Sequence, residues 1–167
     1  MDFRELLSKD NGASFLAVVR ILFGIMFLWA FLDKMFGLGM ETPLNQGLIQ
    51  GYSPSAYLMY MSDNTFYPLF SIFAGNIVTD AVLMVGLLLM GTALILGIAS
   101  KITTVATISF LFLMMLVVFP PTDNIVDYHL IYIVMMFAVY LGHGFSRIGF
   151  EGRWLESKLV KRFGLLG

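Results

Sequence analysis

The chain has 167 residues, 59% of them hydrophobic, with 16 Phe, 12 Met and a mean hydropathy of +0.86. A soluble domain of this length cannot bury that much apolar surface, so the composition is that of an integral membrane protein. The absence of cysteine excludes Cys-x-x-Cys thiol chemistry and any cysteine-held haem or iron–sulfur cluster, while the net charge of −1 matters less than where the charges fall.

Residues 1–13 form a short polar tail of mixed charge (Asp2, Arg4, Glu5, Lys9, Asp10), followed by no small-x-small cleavage pattern, and read as uncleaved. The first span is predicted over about 14–38, with Arg20 as an interior charge. It ends at Trp29-Ala-Phe-Leu-Asp33-Lys34-Met-Phe-Gly37-Leu-Gly39, where aromatics suit an interface and glycines suit a helix exit. Residues 40–75 are too apolar for a free loop and too interrupted for a span. Ser53-Pro54 reads as N-cap and first helical position, Ser62-Asp63-Asn64 as a break, and Pro68 as the start of another short piece. A connection of this kind is expected to lie on the bundle as a lid.

The second span is expected over about 76–99, with Asp80 near its start and Ala93-x-x-x-Gly97 as a small pair allowing close helix approach. Ser100-Lys101 reads as a tight turn into the third span, about 102–119. Pro120-Pro121 stops that span. Asn124 and Asp127 read as N-cap and N3 of the fourth span, about 124–142, with His129 one to two turns inside it. Residues 149–164 place Phe150, Trp154, Leu155, Leu159 and Phe163 on one face, opposite mainly basic residues, as in an amphipathic helix lying in the interface. The expectation is an all-α, polytopic four-helix bundle forming a single membrane domain.

Arg4, Lys9, Arg20, Lys101, Arg147, Arg153, Lys158, Lys161 and Arg162 fall on one side of this arrangement, and Lys34 alone falls on the other. By the positive-inside rule both termini are cytoplasmic and the 40–75 connection faces outward from the cell membrane. The outer ends of the spans then gather Asp33, Lys34, Asn76, Asp80, Asp123, Asn124, Asp127 and His129 in one layer. Ionisable groups at membrane depth are costly and point to function. His129 beside Asp127, with Asp80, can serve a carbonyl and its proton, as quinone chemistry requires. Asp33, Lys34, Asn76 and Asn124 would complete the layer. The structural alternatives are a capped helix for Asp127, a snorkelling or ion-pair role for Lys34, and a hydrogen-bonded couple for His129. Arg20 is expected to meet backbone carbonyls or groups near His143. One histidine with scattered carboxylates is no metal site, and nothing in the chain resembles a nucleotide or nucleic-acid site.

Three stretches together resemble the DoxX/DoxD family across about residues 14–153: Arg20-Ile-Leu-Phe-Gly-Ile-Met-Phe-Leu-Trp-Ala-Phe-Leu-Asp33-Lys34-Met-Phe-Gly-Leu-Gly, Gly51-Tyr-Ser-Pro-Ser, and Pro120-Pro-Thr-Asp-Asn-Ile-Val-Asp127-Tyr-His129-Leu-Ile-Tyr. The resemblance implies a four-helix membrane protein like the large subunit of a thiosulfate:quinone oxidoreductase, with quinone as cofactor and a smaller second subunit or other redox partner beside it. Alternatives from other classes are a non-catalytic membrane scaffold and a small-solute carrier. The scaffold predicts a co-purifying partner and no quinone. The carrier is disfavoured because no span over 77–141 is broken at its middle by proline. Membrane lipid is the expected surround, and a homo-oligomer is compatible with the sequence.

Overall fold

The structure, a computed structural model, describes residues 9–121 and 126–162. Within them every regular element is helical and there is no strand, as expected for an all-α chain. Helix α1 covers Lys9–Phe36 and α3 covers Ile77–Leu96. Helix α4 covers Ser100–Val117, and the shorter α5 covers Tyr128–Leu141. Between α1 and α3 lie 3-10 turns at Leu48–Gln50, Pro54–Met61 and Ser71–Phe73 and the single-turn helix α2, Tyr67–Phe70. The last described elements are α6 (Gly144–Arg147), α7 (Glu151–Leu155) and α8 (Lys158–Arg162).

Three of these helices, over Asn11–Phe36, Ile77–Leu96 and Ser100–Val117, are long and apolar enough to cross a membrane. At 1.5 Å rise per residue, the 20 residues of α3 reach ~30 Å, the thickness of a hydrocarbon core. The surface is inverted relative to a soluble protein. Along α1 the exposed positions are Phe15, Val18, Leu22, Ile25, Trp29, Leu32 and Phe36, a stripe at helical spacing with no polar interruption. In water such a patch would be a liability, whereas against lipid tails it is solvated.

The interior is assembled from the opposite faces: Val19, Phe23 and Phe27 of α1, Leu87, Met90 and Leu94 of α3, Leu111 of α4, and Ile133, Met136 and Val139 of α5. Phe27 meets Phe110 edge-on at 5.8 Å, and Phe23 meets Tyr132 at 5.5 Å, tying α1 to both α4 and α5. With lipid as solvent, the packing of these surfaces, rather than release of water, holds the helices together. The backbones of α1 and α3 approach closely. A Cβ on Gly24 would lie 2.8 Å from the Ile95 nitrogen, and one on Gly91 2.9 Å from the Leu28 nitrogen. Of the Ala93/Gly97 pair expected to allow close approach, Gly97 lies against the Arg20 side chain of α1 and also has a second task. Gly97, at φ +63°, ends α3, and its N–H donates to the Ala93 carbonyl at 2.8 Å.

Helix ends account for the other departures from expectation. Helix α1 already includes Lys9, inside the polar tail, because a helix need not stop where the membrane does. The α3–α4 turn is Gly97 to Ala99, and Ser100 and Lys101 already belong to the first turn of α4. Helix α5 starts at Tyr128 because Asp127, in extended conformation, is the residue whose carboxylate takes the N–H of His129. His129 therefore sits in the first turn rather than one to two turns in. Asn124 and Asp123 lie outside the described residues. The single amphipathic helix expected over 149–164 is divided into α7 and α8, with the Ser157 hydroxyl accepting the Val160 N–H at 3.3 Å and opening the second piece.

Candidate functional site

The N-cap of α5 brings an acid and an imidazole together. Asp127 Oδ1 accepts the backbone N–H of His129 at 2.7 Å and lies 2.8 Å from His129 Nδ1. One carboxylate oxygen thus caps the helix and holds the imidazole. An ionised carboxylate can only accept, so the shared hydrogen belongs on Nδ1 and Nε2 is left as the nitrogen able to serve a ligand. His129 is buried, and the Tyr128 ring lies against it with centroids 4.1 Å apart and planes 31° apart. Tyr132, one turn on, meets Tyr128 edge-on at 5.8 Å. The i to i+4 spacing on one helix face brings those two phenols together.

The connection supplies the next groups. Tyr57, in the Pro54–Met61 turn, points its hydroxyl at Met114 Sδ of α4, 3.1 Å away. Burial pushes its phenol up to about 12, with Glu41 and Tyr128 close enough to add to the shift. Tyr57 is therefore a neutral O–H donor at any physiological pH. Glu41 in turn takes Lys34 Nζ at 2.9 Å. Glu41 and Tyr57 had no motif to announce them in the sequence, and Tyr128 and Tyr132 stood in the quoted 120–132 stretch without a role of their own. Their placement follows from how the connection folds back over the helix ends.

The remaining carboxylates of the anticipated layer are turned to other work. Asp33, only 2% exposed, accepts the backbone N–H groups of Met40, Glu41 and Thr42 at 3.2, 3.1 and 2.7 Å, organising the turn that leaves α1. Asp80, in the first turn of α3, accepts the Ser53 hydroxyl at 2.9 Å and the Ser55 N–H at 2.7 Å. Ser53 is thus the N-cap by position, but its hydroxyl serves Asp80 instead of its own helix. Asn76 caps α3 through the Val78 N–H at 2.9 Å. Lys34 pairs with Glu41, not with Asp33, Asp80 or Asp127. Among the described residues no hydrogen bond or ion pair joins Asp33, Lys34, Asn76 or Asp80 to the Asp127–His129 pair. The layer consists of one acid–imidazole pair and a separate set of braces.

Those braces make the connection an ordered cover. Gln50 Nε2 donates to the Phe36 carbonyl at 3.2 Å, closing the turn after α1. Asn64 Nδ2 donates to the Val117 carbonyl at 2.8 Å, and the Thr65 N–H to the Phe119 carbonyl at 3.0 Å, so the connection also satisfies the open end of α4.

At the opposite end Arg20 is fully buried, and its guanidinium donates to the carbonyls of Phe145 and Ile148, lying 5.4 Å over the Phe145 ring. It fastens α1 to the segment after α5 and has no part in the pair. No group of His, Asp and Glu among the described residues has the arrangement of a metal site. Compared with protein-family models, with curated proteins and with solved structures, the chain matches none.

Proposed function

We propose that this chain is a DoxX/DoxD-like integral membrane redox subunit that exchanges hydrogen bonds and protons with a membrane quinone at Asp127–His129. Helices α1, α3, α4 and α5 form its four-helix membrane bundle, with both termini cytoplasmic and the 37–76 connection facing outward. The observation that carries the reading is the buried 2.8 Å contact between His129 Nδ1 and Asp127, which engages Nδ1 and so leaves Nε2 as the other nitrogen for a ligand. A quinone, when bound, supplies a couple whose carbonyl oxygens need donors when reduced and acceptors when reoxidised. These residues fit that requirement. Nε2 accepts from a hydroxyl in the neutral imidazole and donates in the imidazolium, and Asp127 stabilises the charge. Tyr128 covers one face of the imidazole, and Tyr57 stands near as a neutral hydroxyl.

The electron donor belongs to a partner. Asp33, Glu41, Asp80 and Asp127 crowd this end, and its lysine, Lys34, is already paired with Glu41. Such a field repels a small dianion of the thiosulfate type, so delivery through a second subunit suits the chain better than direct capture.

A second reading, a non-catalytic membrane scaffold, draws on the fact that Asp33, Asp80 and Asp127 each accept backbone N–H groups. Mass spectrometry of the gently extracted protein separates the two. The redox reading predicts a retained quinone in the wild type that is missing from His129→Ala, with both proteins equally helical. A wild type free of quinone that brings down a partner protein supports the scaffold.

A further inference from the structure

We propose that the end of the bundle carrying the α3–α4 turn takes up water, through a cleft beside Ser100 and along the threonine face of α4 as far as Thr107, independent of the redox reading. Ser100, Thr103, Thr104 and Thr107 recur at i, i+3, i+4 and i+7, so helix geometry puts them on one face. That face turns inward: Thr103, Thr104 and Thr107 are 3%, 5% and 0% exposed. A helical threonine ordinarily returns its hydroxyl to a carbonyl one turn back. Thr103 does bond back to the chain, donating to the Ile98 carbonyl at 3.2 Å. Among the described residues, however, the hydroxyls of Thr104 and Thr107 meet no hydrogen-bond partner, and neither does Arg20 Nε. In a bundle surrounded by lipid each such atom is costly, and water is the smallest group that relieves it.

A supply lies at the start of the same face. Ser100 borders a cleft of about 270 Å³ lined also by Tyr140, Leu141, His143, Phe145 and Glu151. Hydroxyls, an imidazole and a carboxylate thus surround room for several waters at about 30 Å³ each. Phe145 links the cleft to Arg20, whose guanidinium lies 5.4 Å over its ring, and Glu151 is near enough for its charge to act on Arg20. From Ser100 to Thr107 the face climbs about 10 Å at 1.5 Å per residue. Leu111, one turn further and part of the apolar core, ends it. The charges select a neutral occupant: Arg20 repels a cation, and Glu151 at the mouth repels an anion. Hydroxyls that both donate and accept suit water.

The chain has no cysteine, so a single introduced thiol can be read by itself. Full-length protein in micelles carrying Thr104→Cys, Thr107→Cys or Leu111→Cys would be moved into heavy water at matched helicity. Exchange of the thiol hydrogen would be followed from its infrared stretch. Exchange at positions 104 and 107 should run at least about tenfold faster than at 111. Ser100→Phe and Glu151→Trp each crowd the cleft from a different element. Added to Thr107→Cys, either should slow its exchange about fivefold or more, whereas a fraying helix end would exchange as before. Equal rates at 107 and 111, or a rate at 107 indifferent to both cleft substitutions, would overturn the proposal.

Discussion

Arg20 shows how one residue can dictate its neighbours. A guanidinium in the middle of an apolar run must find acceptors, and the carbonyls of Phe145 and Ile148 supply them. Its presence explains two glycines. A Cβ on Gly97 would overlap the guanidinium, and one on Gly149 would lie 2.8 Å from Arg20 Nη1. Arg20→Met should cost about 1–3 kcal/mol by stranding those carbonyls. Gly97→Ala should also destabilise, through the collision and the φ of +63°. Because methionine removes the collision, the double variant should be less destabilised than the sum of the singles in denaturant unfolding in micelles. Strict additivity would show that Gly97 serves backbone geometry alone. At the other end, the sequence marked Asp127 and His129 as neighbours. That one carboxylate oxygen serves both the backbone and the ring of His129 could be seen only with the helix start fixed at Tyr128.

Among the elements, the connection carries the clearest consequence. Asp80 belongs to α3, yet both of its hydrogen bonds reach across to the start of the Pro54–Met61 turn. It acts as a latch, and removing it leaves Ser55, 1% exposed, with a buried N–H unpaired. Asp80→Ala should therefore weaken the cover by about 1–3 kcal/mol, raising amide exchange over Ser53–Met61 roughly tenfold to hundredfold. Exchange in the middle of α1 should not change; loosening there as well would mean that Asp80 supports the bundle rather than the cover. Local chemistry made several boundaries readable in advance: Asn76 at the head of α3, Ser53-Pro54 at its turn, and the glycines beyond α1. What composition could not reveal was long-range partnership. Glu41 for Lys34, Ser53 and Ser55 for Asp80, and Asn64 for the end of α4 are all contacts across many residues, with no periodicity to signal them. The split of the C-terminal segment at Ser157 was missed because the alternation of apolar and basic residues runs through it, while a local cap decided the break.

For the molecule as a whole, apolar stripes outward and a mixed core inward define a lipid-solvated bundle. The charge pattern is the basis of the proposed direction. Since the chain has no cysteine, single introduced thiols report sidedness without background. Lys101→Cys and Lys158→Cys should be shielded from an impermeant maleimide added to whole cells, and Asp63→Cys should react. Reaction of all three from one side would refute the proposed orientation. Braces and the proposed ligand pair share the connection end but separate by residue: Asp33 and Asp80 hold the cover, and Asp127 holds His129.

The central claim is that His129 binds a quinone, and an equilibrium titration tests it most directly. A short-chain quinone would be titrated against wild-type protein, His129→Ala and Asp127→Asn in micelles, with circular dichroism confirming equal helicity. Loss of the Nε2 hydrogen bond from a desolvated site should weaken binding about tenfold or more in His129→Ala. Asp127→Asn, which keeps a side-chain oxygen but removes its charge, should weaken it less. Binding of equal affinity in all three proteins would contradict the account.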